Sequence, residues 1–509
     1  MSTSIRSILL TGNSGVLVDV ECTITNGLPA IVIVGLGNKS IDEARERIRA
    51  AFTSSKLEFP KKRVTINLAP ADIPKDSSGF DLAIALAVLC ANKQQRADSR
   101  HIAYIGELGL GGSVRPVRGI IGKLLAGKKL GITHFIIPKA NIEQASLVPN
   151  VALRPIARLA DCVAGQNSIE DPKFIHTKSN ISYNSSFHSG ILKEVNGQDQ
   201  AKRALEIAAA GRHNILLSGP PGTGKSMLAK ALPELLPDPS THEILEITHL
   251  HSLASPDFEE LFLERPFRAP HHTASRTSII GGGQRIHPGE VSLSHNGVLL
   301  LDEMPEFPRS ILEALRQPLE EQKVTITRAR ETITFPANFI LIATANPCPC
   351  GYYKTTMRSC ECTPSQILRY KQRISGPILD RIDLHVAVHD IDHTSLLTTN
   401  SSSKSTYELL RNRISAAYNI QSKRLGGSRT NSSMTNAELQ KLALLSNDAR
   451  AVLDTAAQKL VLSARGYIRT VRVARTIADL NSHTAIEVND VAEALQYRSQ
   501  ITGHIGGQA

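Results

Sequence analysis

No tryptophan occurs in these 509 residues, only 4% of them are aromatic, and there is no long apolar span. The last absence excludes a helical membrane anchor, which takes about 20 consecutive apolar residues. A secretory leader is not expected either, because the run Ile8 to Val20 is interrupted by Thr11-Gly12-Asn13-Ser14-Gly15. The cytoplasm is therefore the expected location, with no membrane partner. Charge is nearly balanced: 58 Lys and Arg stand against 47 acids, net +11, which suits a polyanion but also an ordinary solvated surface. Cysteine is scarce, with seven residues, and disulfides are disfavoured in the cytoplasm. Cys22, Cys90 and Cys162 lie in apolar stretches and read as small core residues. The other four crowd one window, Cys348-Pro349-Cys350 and Cys360-Glu361-Cys362. Thiolate pairs flanking a short loop can close a tetrahedral Zn²⁺ site, although C-x-C is less usual than C-x₂-C.

What is present is a chain long enough for about two to four domains. Residues 1–165 alternate short apolar strands with helices such as Ser40 to Phe52 and Asp81 to Ala91. Residues 166–190 are polar, without periodicity, and read as a linker. A module over 191–395 follows, then an insert over 396–434 with a basic helix carrying Arg411, Arg413, Lys423 and Arg424. Residues 435–509 read as helical. No internal repeat is visible.

The chemistry concentrates in the third segment. Asn214 to Leu217 predicts a buried strand and Met227 to Leu232 a helix, with Gly219-Pro220-Pro221-Gly222-Thr223-Gly224-Lys225-Ser226 between them. In this context G-x-x-x-x-G-K-S is a phosphate loop, whose backbone N–H groups curl around phosphate oxygens at a helix N-terminus. Lys225 is expected on the β- and γ-phosphates and the Ser226 hydroxyl on Mg²⁺. About 75 residues on, the apolar run Gly297 to Leu301 ends in Asp302-Glu303. A fully buried parallel strand reads this way. Asp302 would then support the Mg²⁺ shell and Glu303 activate water, the alternative being an acidic helix cap. The strand Phe339 to Ala345 ends in Asn346, suited to sense the γ-phosphate or the attacking water. Arg381 follows, in Leu379-Asp380-Arg381-Ile382-Asp383, and suits a finger inserted into a neighbour's site or, alternatively, a salt bridge to Asp380 or Asp383. Lys323-Val324-Thr325-Ile326-Thr327-Arg328-Ala329-Arg330 and Glu331 to Phe335 make two β-branched runs around a basic tip, a hairpin signature.

These elements, in this order, resemble an AAA+ ATPase. Arg265-Pro266-Phe267-Arg268-Ala269-Pro270-His271-His272, Gly281-Gly282-Gly283, Ala345-Asn346-Pro347-Cys348-Pro349-Cys350-Gly351 and Arg373-Ile374-Ser375-Gly376-Pro377 narrow the likeness to the magnesium-chelatase-like branch, and within it to the ComM (YifB) group. The likeness runs over almost the whole chain. It implies a homo-oligomer, a hexameric ring, that turns over ATP with Mg²⁺ and drives branch migration of DNA in recombination or natural transformation. It also implies that 435–509 is a helical lid carrying a sensor 2 arginine. Arg465 is the first choice and Arg472 the reserve, since Arg465, Arg469 and Arg472 share a helix face. The hairpin would point into the ring pore, with Lys323, Arg328 and Arg330 on DNA phosphates. Its alternative is a brace at a subunit contact, and the loop Gly281 to Arg285 is a second DNA candidate.

Ile105 to Val117 and Gly119 to Lys123 resemble the proteolytic domain of Lon, a fold like that of ribosomal S5. Lys123 falls where Lon keeps its catalytic lysine, and Ser77 aligns with the nucleophile. The sequence around it, Lys75-Asp76-Ser77-Ser78-Gly79-Phe80-Asp81, departs from Gly-Pro-Ser-Ala-Gly, and Asp81 adds a charge where a neutral lysine needs a dry pocket. A Lon-like fold without peptidase activity, as in the RadA recombination ATPases, is the expectation. The fold class expected is thus α/β and multidomain: a Lon-like N-terminal domain, an AAA+ core with a parallel sheet, and an α-helical lid. Competing functions are an ATP-dependent protease, a remodelling chaperone and a magnesium-chelatase subunit. The Lon-like region argues against the last, which by that resemblance would lack it.

Overall fold

The computed structural model describes residues 3–505 except 12–13, 36–38, 72, 74–77, 94–100, 165–173, 178–189, 196, 255–261, 284–285, 329–330, 356–357 and 390–402. Ser77, Arg330, Arg285 and most of the expected linker thus lie outside the described residues. The chain divides into two units, Met1–Tyr183 with Thr241–Phe262, and Asn184–Ser240 with Leu263–Ala509.

In the first unit, strand Arg63–Ala69 alternates burial, with Val64, Ile66 and Leu68 inside, as a half-buried pleat requires. It pairs antiparallel with Ser14–Thr25 and parallel with Ala30–Val34, and Thr3–Thr11 closes the sheet. A second sheet places His134–Pro138 between Ile102–Tyr104 and Ala152–Ile156, all parallel, with Ile175–His176 antiparallel at the edge. Helix Asp81–Ala91 is apolar all round, and Asp81 through Cys90 are buried, the position such a helix must take. Helix Thr241–Ala254 falls within 191–395 by sequence order but belongs to this unit. Its Leu245 shares a core with Ile120, Ile121 and Leu124. A Cβ at Gly122 would stand 2.0 Å from His249 Cε1, so this close approach requires glycine.

The second unit is built on a sheet ordered Phe267–Arg268, Val298–Leu301, Ile340–Ala345, Ile215–Ser218, Leu384–Ala387, with every pair parallel. Val298–Leu301 and Ile340–Ala345 are buried throughout, which is why they read as continuous apolar runs rather than alternating ones. Because the strands are parallel, Ser218, Leu301 and Ala345 end at one edge while Asn214, Gly297 and Phe339 begin at the other. Arg265 donates to the carbonyls of Pro237 (2.6 Å) and Asn296 (2.7 Å), tying together the chain on either side of the 241–262 excursion. The basic helix Ser403–Leu425 pairs its three arginines internally: Arg411 with Asp238, Arg413 with Glu206 and Arg424 with Asp479. Helices Asn436–Leu442, Asn447–Lys459, Ala464–Leu480 and Val488–Ile505 follow, the first three capped by Thr435, Ser446 and Ser463.

Candidate active site

The phosphate loop leaves strand Ile215–Ser218 and enters helix Lys225–Leu235. Its path depends on glycine: Gly222 and Gly224 have φ of 86° and 83°, and a Cβ on Gly219 would stand 2.2 Å from the Val388 carbonyl oxygen. Thr223 Oγ1 donates to the Pro220 carbonyl at 2.9 Å, closing the loop on itself. Lys225 Nζ is folded back onto the carbonyls of Gly219 (2.8 Å) and Pro220 (2.6 Å). These are neutral acceptors, which a triphosphate outcompetes for an ammonium.

Asp302 and Glu303 emerge beside this loop at the same sheet edge. The Ser226 hydroxyl donates to Asp302 Oδ2 at 3.0 Å, so the two expected Mg²⁺ ligands converge. Thr344 Oγ1 donates to Asp302 Oδ1 at 2.6 Å and accepts the Glu303 backbone N–H at 2.8 Å. This hydroxyl orients both carboxylate residues, and the sequence reading does not anticipate it. Its only signal is a hydroxyl inside an otherwise apolar buried strand. Glu303 sits in the left-handed region, φ 52° and ψ 51°, which a non-glycine residue adopts at some cost and which turns the chain sharply after the strand. Asn346 lines a cavity of about 530 Å³ beside this edge, together with Ser218, Pro305 and Tyr370.

Arg381 and Arg465 do not join this group. Arg381 precedes strand Leu384–Ala387, whose register sets Leu384 against Ile215 and Ala387 against Ser218. Arg381 therefore lies at the far edge, about 10 Å of strand from the phosphate loop. It binds neither Asp380 nor Asp383; its guanidinium donates to Glu320 and, at 2.7 Å, to the Pro377 carbonyl. Arg465 donates to the other oxygen of Glu320 at 3.2 Å. Arg381, with Arg465 and Arg469 in support, holds the Glu320 carboxyl below its usual range. Arg212, Arg381, Arg465, Arg469 and Arg472 line one cavity of about 420 Å³. Beneath it Arg469 donates to Asp383 at 2.6 Å and the Asp383 carboxylate accepts the Asn214 N–H at 3.0 Å. Burial would raise the Asp383 carboxyl, but Arg469 and His213 outweigh it and hold it far below the carboxylate range.

Two further clusters complete the second unit. The hairpin pairs Lys323–Arg328 with Glu331–Pro336, from Lys323 opposite Pro336 to Arg328 opposite Glu331. Val324 and Phe335 bury its base, while Lys323 and Arg328 are exposed. The four thiols of Cys348, Cys350, Cys360 and Cys362 all lie within 4.8 Å of one another.

Residues 191–396 match the family described as magnesium chelatase, subunit ChlI; 20–141 match subunit ChlI of Mg-chelatase; and 404–498 match the ChlI C-terminal region. Competence protein ComM of Haemophilus influenzae is 41% identical over 490 residues, 95% of each chain. The chain belongs to the ComM/YifB family of magnesium-chelatase-like AAA+ proteins. YifB of Escherichia coli is 39% identical over 487 residues, 95% of this chain and 94% of that one. The N-terminal match itself bears a chelatase subunit's description, so the presence of that region does not separate this family from a chelatase subunit, contrary to expectation.

A protease relative matches part of the chain: Lon protease 2 of Herpetosiphon aurantiacus is 30% identical over 155 residues, 29% of this chain and 19% of that one. Lys123, in helix Ile120–Lys129, is buried, and burial lowers its pKa to about 8. Asp81 does not act on it as expected. Its carboxylate accepts from Arg47 at 2.8 and 3.1 Å and from the Leu108 N–H at 3.2 Å, while burial raises its pKa to about 6 despite Arg47.

Proposed function

We propose that this protein is an ATP-driven DNA motor: a hexameric ring whose helical C-terminal region serves as lid, promoting branch migration of branched DNA in recombination or natural transformation. The observation that carries the reading is the division of nucleotide chemistry between two sheet edges of one chain. Ser226, Asp302, Thr344 and Glu303 are assembled at one edge, and Arg381 and Arg465 are gathered on Glu320 at the other. A head-to-tail ring joins unlike edges, so each site is completed by its neighbour. Gly219 to Ser226 would bind the triphosphate, and Lys225 would leave the Gly219 and Pro220 carbonyls for the β- and γ-phosphates. Ser226 and Asp302 fit Mg²⁺, which supplies charge neutralisation on the phosphates when bound. Glu303 would orient and deprotonate the attacking water, and Asn346 would position it. Arg381 and Arg465 of the adjoining subunit would stabilise charge on the transferred phosphoryl group. Zn²⁺ is the ion that the four-cysteine cluster suits.

DNA would pass the hairpin, with Lys323, Arg328 and Arg330 on phosphates and no reading of sequence. The name of the H. influenzae relative, a competence protein, supports a competence-related role. The deciding experiment is ATP-dependent conversion of labelled three- and four-way DNA junctions by purified protein. Failure to convert either, with ATP turnover intact, refutes the motor. The second reading, an ATP-dependent protease or remodelling chaperone, is favoured by the Lon likeness and by buried Lys123. Turnover stimulated by casein rather than DNA would select it.

A further inference from the structure

The cysteine cluster and the phosphate loop touch, and nothing in the hydrolytic site explains the contact. Cys348 comes two residues after Asn346, so the cluster is continuous with the strand that carries Thr344. The turn Cys348-Pro349-Cys350-Gly351 closes through the Gly351 N–H, which donates to the Cys348 carbonyl at 3.0 Å. Gly351 has φ +87°, and a Cβ there would stand 2.6 Å from Pro221 Cδ. The backbone of the cysteine turn is therefore packed directly against the crown of the phosphate loop, with no room for a side chain.

The sulfur geometry has the dimensions of a metal site. Cys348 Sγ lies 3.3 Å from Cys350 Sγ and 3.7 Å from Cys360 Sγ, and Cys350 Sγ lies 3.6 Å from Cys360 Sγ. Four sulfurs at about 2.3 Å from a central Zn²⁺ form a tetrahedron with edges of about 3.8 Å. None of these pairs is near the roughly 2.05 Å of a disulfide. The Cys350 N–H donates to Cys362 Sγ at 3.4 Å, an outer-shell hydrogen bond of the kind that steadies a thiolate ligand. One basic side chain, Lys371, is close enough to interact electrostatically with Cys348. Lys354 and Lys371 flank the Tyr353 ring at 5.7 and 5.4 Å, and Arg358 lies over Tyr352 at 5.6 Å.

We propose that Cys348, Cys350, Cys360 and Cys362 bind one Zn²⁺ whose task is to hold Gly351 against Pro221 and so prop the phosphate loop in its nucleotide-binding shape. The inference rests on the zinc reading above and adds a purpose to it. Binding replaces four S–H bonds by four Zn–S bonds and releases the thiol protons to solvent, with no change of oxidation state. The window from Cys348 to Cys362 has little apolar material of its own. The ion substitutes for a core and transmits its rigidity through one glycine to Pro221. Loss of the ion would leave the catalytic carboxylates in place but free the loop that must grip phosphate.

Full-length protein is tested for zinc by elemental analysis and for binding of a fluorescent ATP analogue in excess Mg²⁺. One Zn²⁺ per chain is expected. Cys360→Ser with Cys362→Ser should lose the ion and weaken nucleotide binding by about tenfold or more, with unchanged far-UV circular dichroism. Gly351→Ala should keep the ion yet weaken binding comparably, because its methyl group drives Pro221 away. If the double serine variant fails to fold, Gly351→Ala decides alone. Wild-type protein without zinc overturns the metal site. Zinc-loaded protein whose Gly351→Ala variant binds nucleotide as tightly as wild type overturns the prop. Because the readout is nucleotide binding, failure of the DNA-motor reading leaves this test standing.

Discussion

Mixing two inactive variants measures whether the two sheet edges meet across a subunit boundary. Glu303→Gln leaves Arg381 intact at the far edge, and Arg381→Ala leaves Glu303 intact beside the phosphate loop. Alone, each ring lacks one component at every site. Loss of the arginine should lower turnover by about 10³-fold or more. In rings mixed at equal amounts, a site works only where an Arg381→Ala chain supplies Glu303 and its neighbour, a Glu303→Gln chain, supplies Arg381. Each holds with probability one half, so about one quarter of sites are complete, whatever the ring size. Turnover should therefore recover to about 25% of wild type if sites act independently, and rise from near zero as the second variant is titrated in. Because Arg381 is buried and also donates to the Pro377 carbonyl, the Arg381→Ala variant's fold is verified by its thermal unfolding before mixing. Glu320 has 47% of its side chain exposed and keeps Arg465 as a partner when Arg381 is removed. The assay is steady-state phosphate release, with subunit mixing verified by native mass spectrometry. No recovery in rings shown to be mixed would refute a finger acting in trans and leave Arg381 as the structural partner of Glu320.

Other predictions follow from the same geometry. Glu303→Gln should bind ATP normally and hydrolyse it about 10²–10⁴-fold more slowly, whereas Lys225→Ala should lose nucleotide affinity itself, as equilibrium binding and single-turnover hydrolysis will show. Arg328→Ala with Arg330→Ala should lower the salt slope of DNA binding by about one unit per lost phosphate contact, equally for unrelated sequences; an unchanged slope counts against the hairpin. Asp383 has a depressed pKa, so its contribution to stability is fully present above the unfolded-state value of about 4 and is lost as pH falls below it. Asp383→Asn should accordingly destabilise the protein at neutral pH and flatten the acid limb of its stability curve, measured by urea unfolding between pH 3 and 7.

What could be read without coordinates was chemistry encoded in contiguous residues. Gly219 to Ser226 carries its own turn geometry, and Asp302 and Glu303 end an apolar run because a buried parallel strand must be apolar until it reaches the ligand edge. The strand of Asn346, the hairpin and the four-cysteine window were legible for the same reason, since each is a local pattern with a local cause. Pairings between distant residues were not. Glu320 joins Arg381 and Arg465 across 61 and 145 residues, and no periodicity marks a glutamate as their common partner. Thr344 looks like any β-branched strand residue until the parallel register brings its hydroxyl to Asp302. Helix Thr241–Ala254 lies by sequence order inside the module over 191–395, and only the fold assigns it to the first unit. The contact of Gly351 with Pro221 is of this second kind. Short-range sterics and hydropathy act along the chain and are written there, whereas a partner 60 to 150 residues away is selected by the packing of whole elements and appears only once they are assembled.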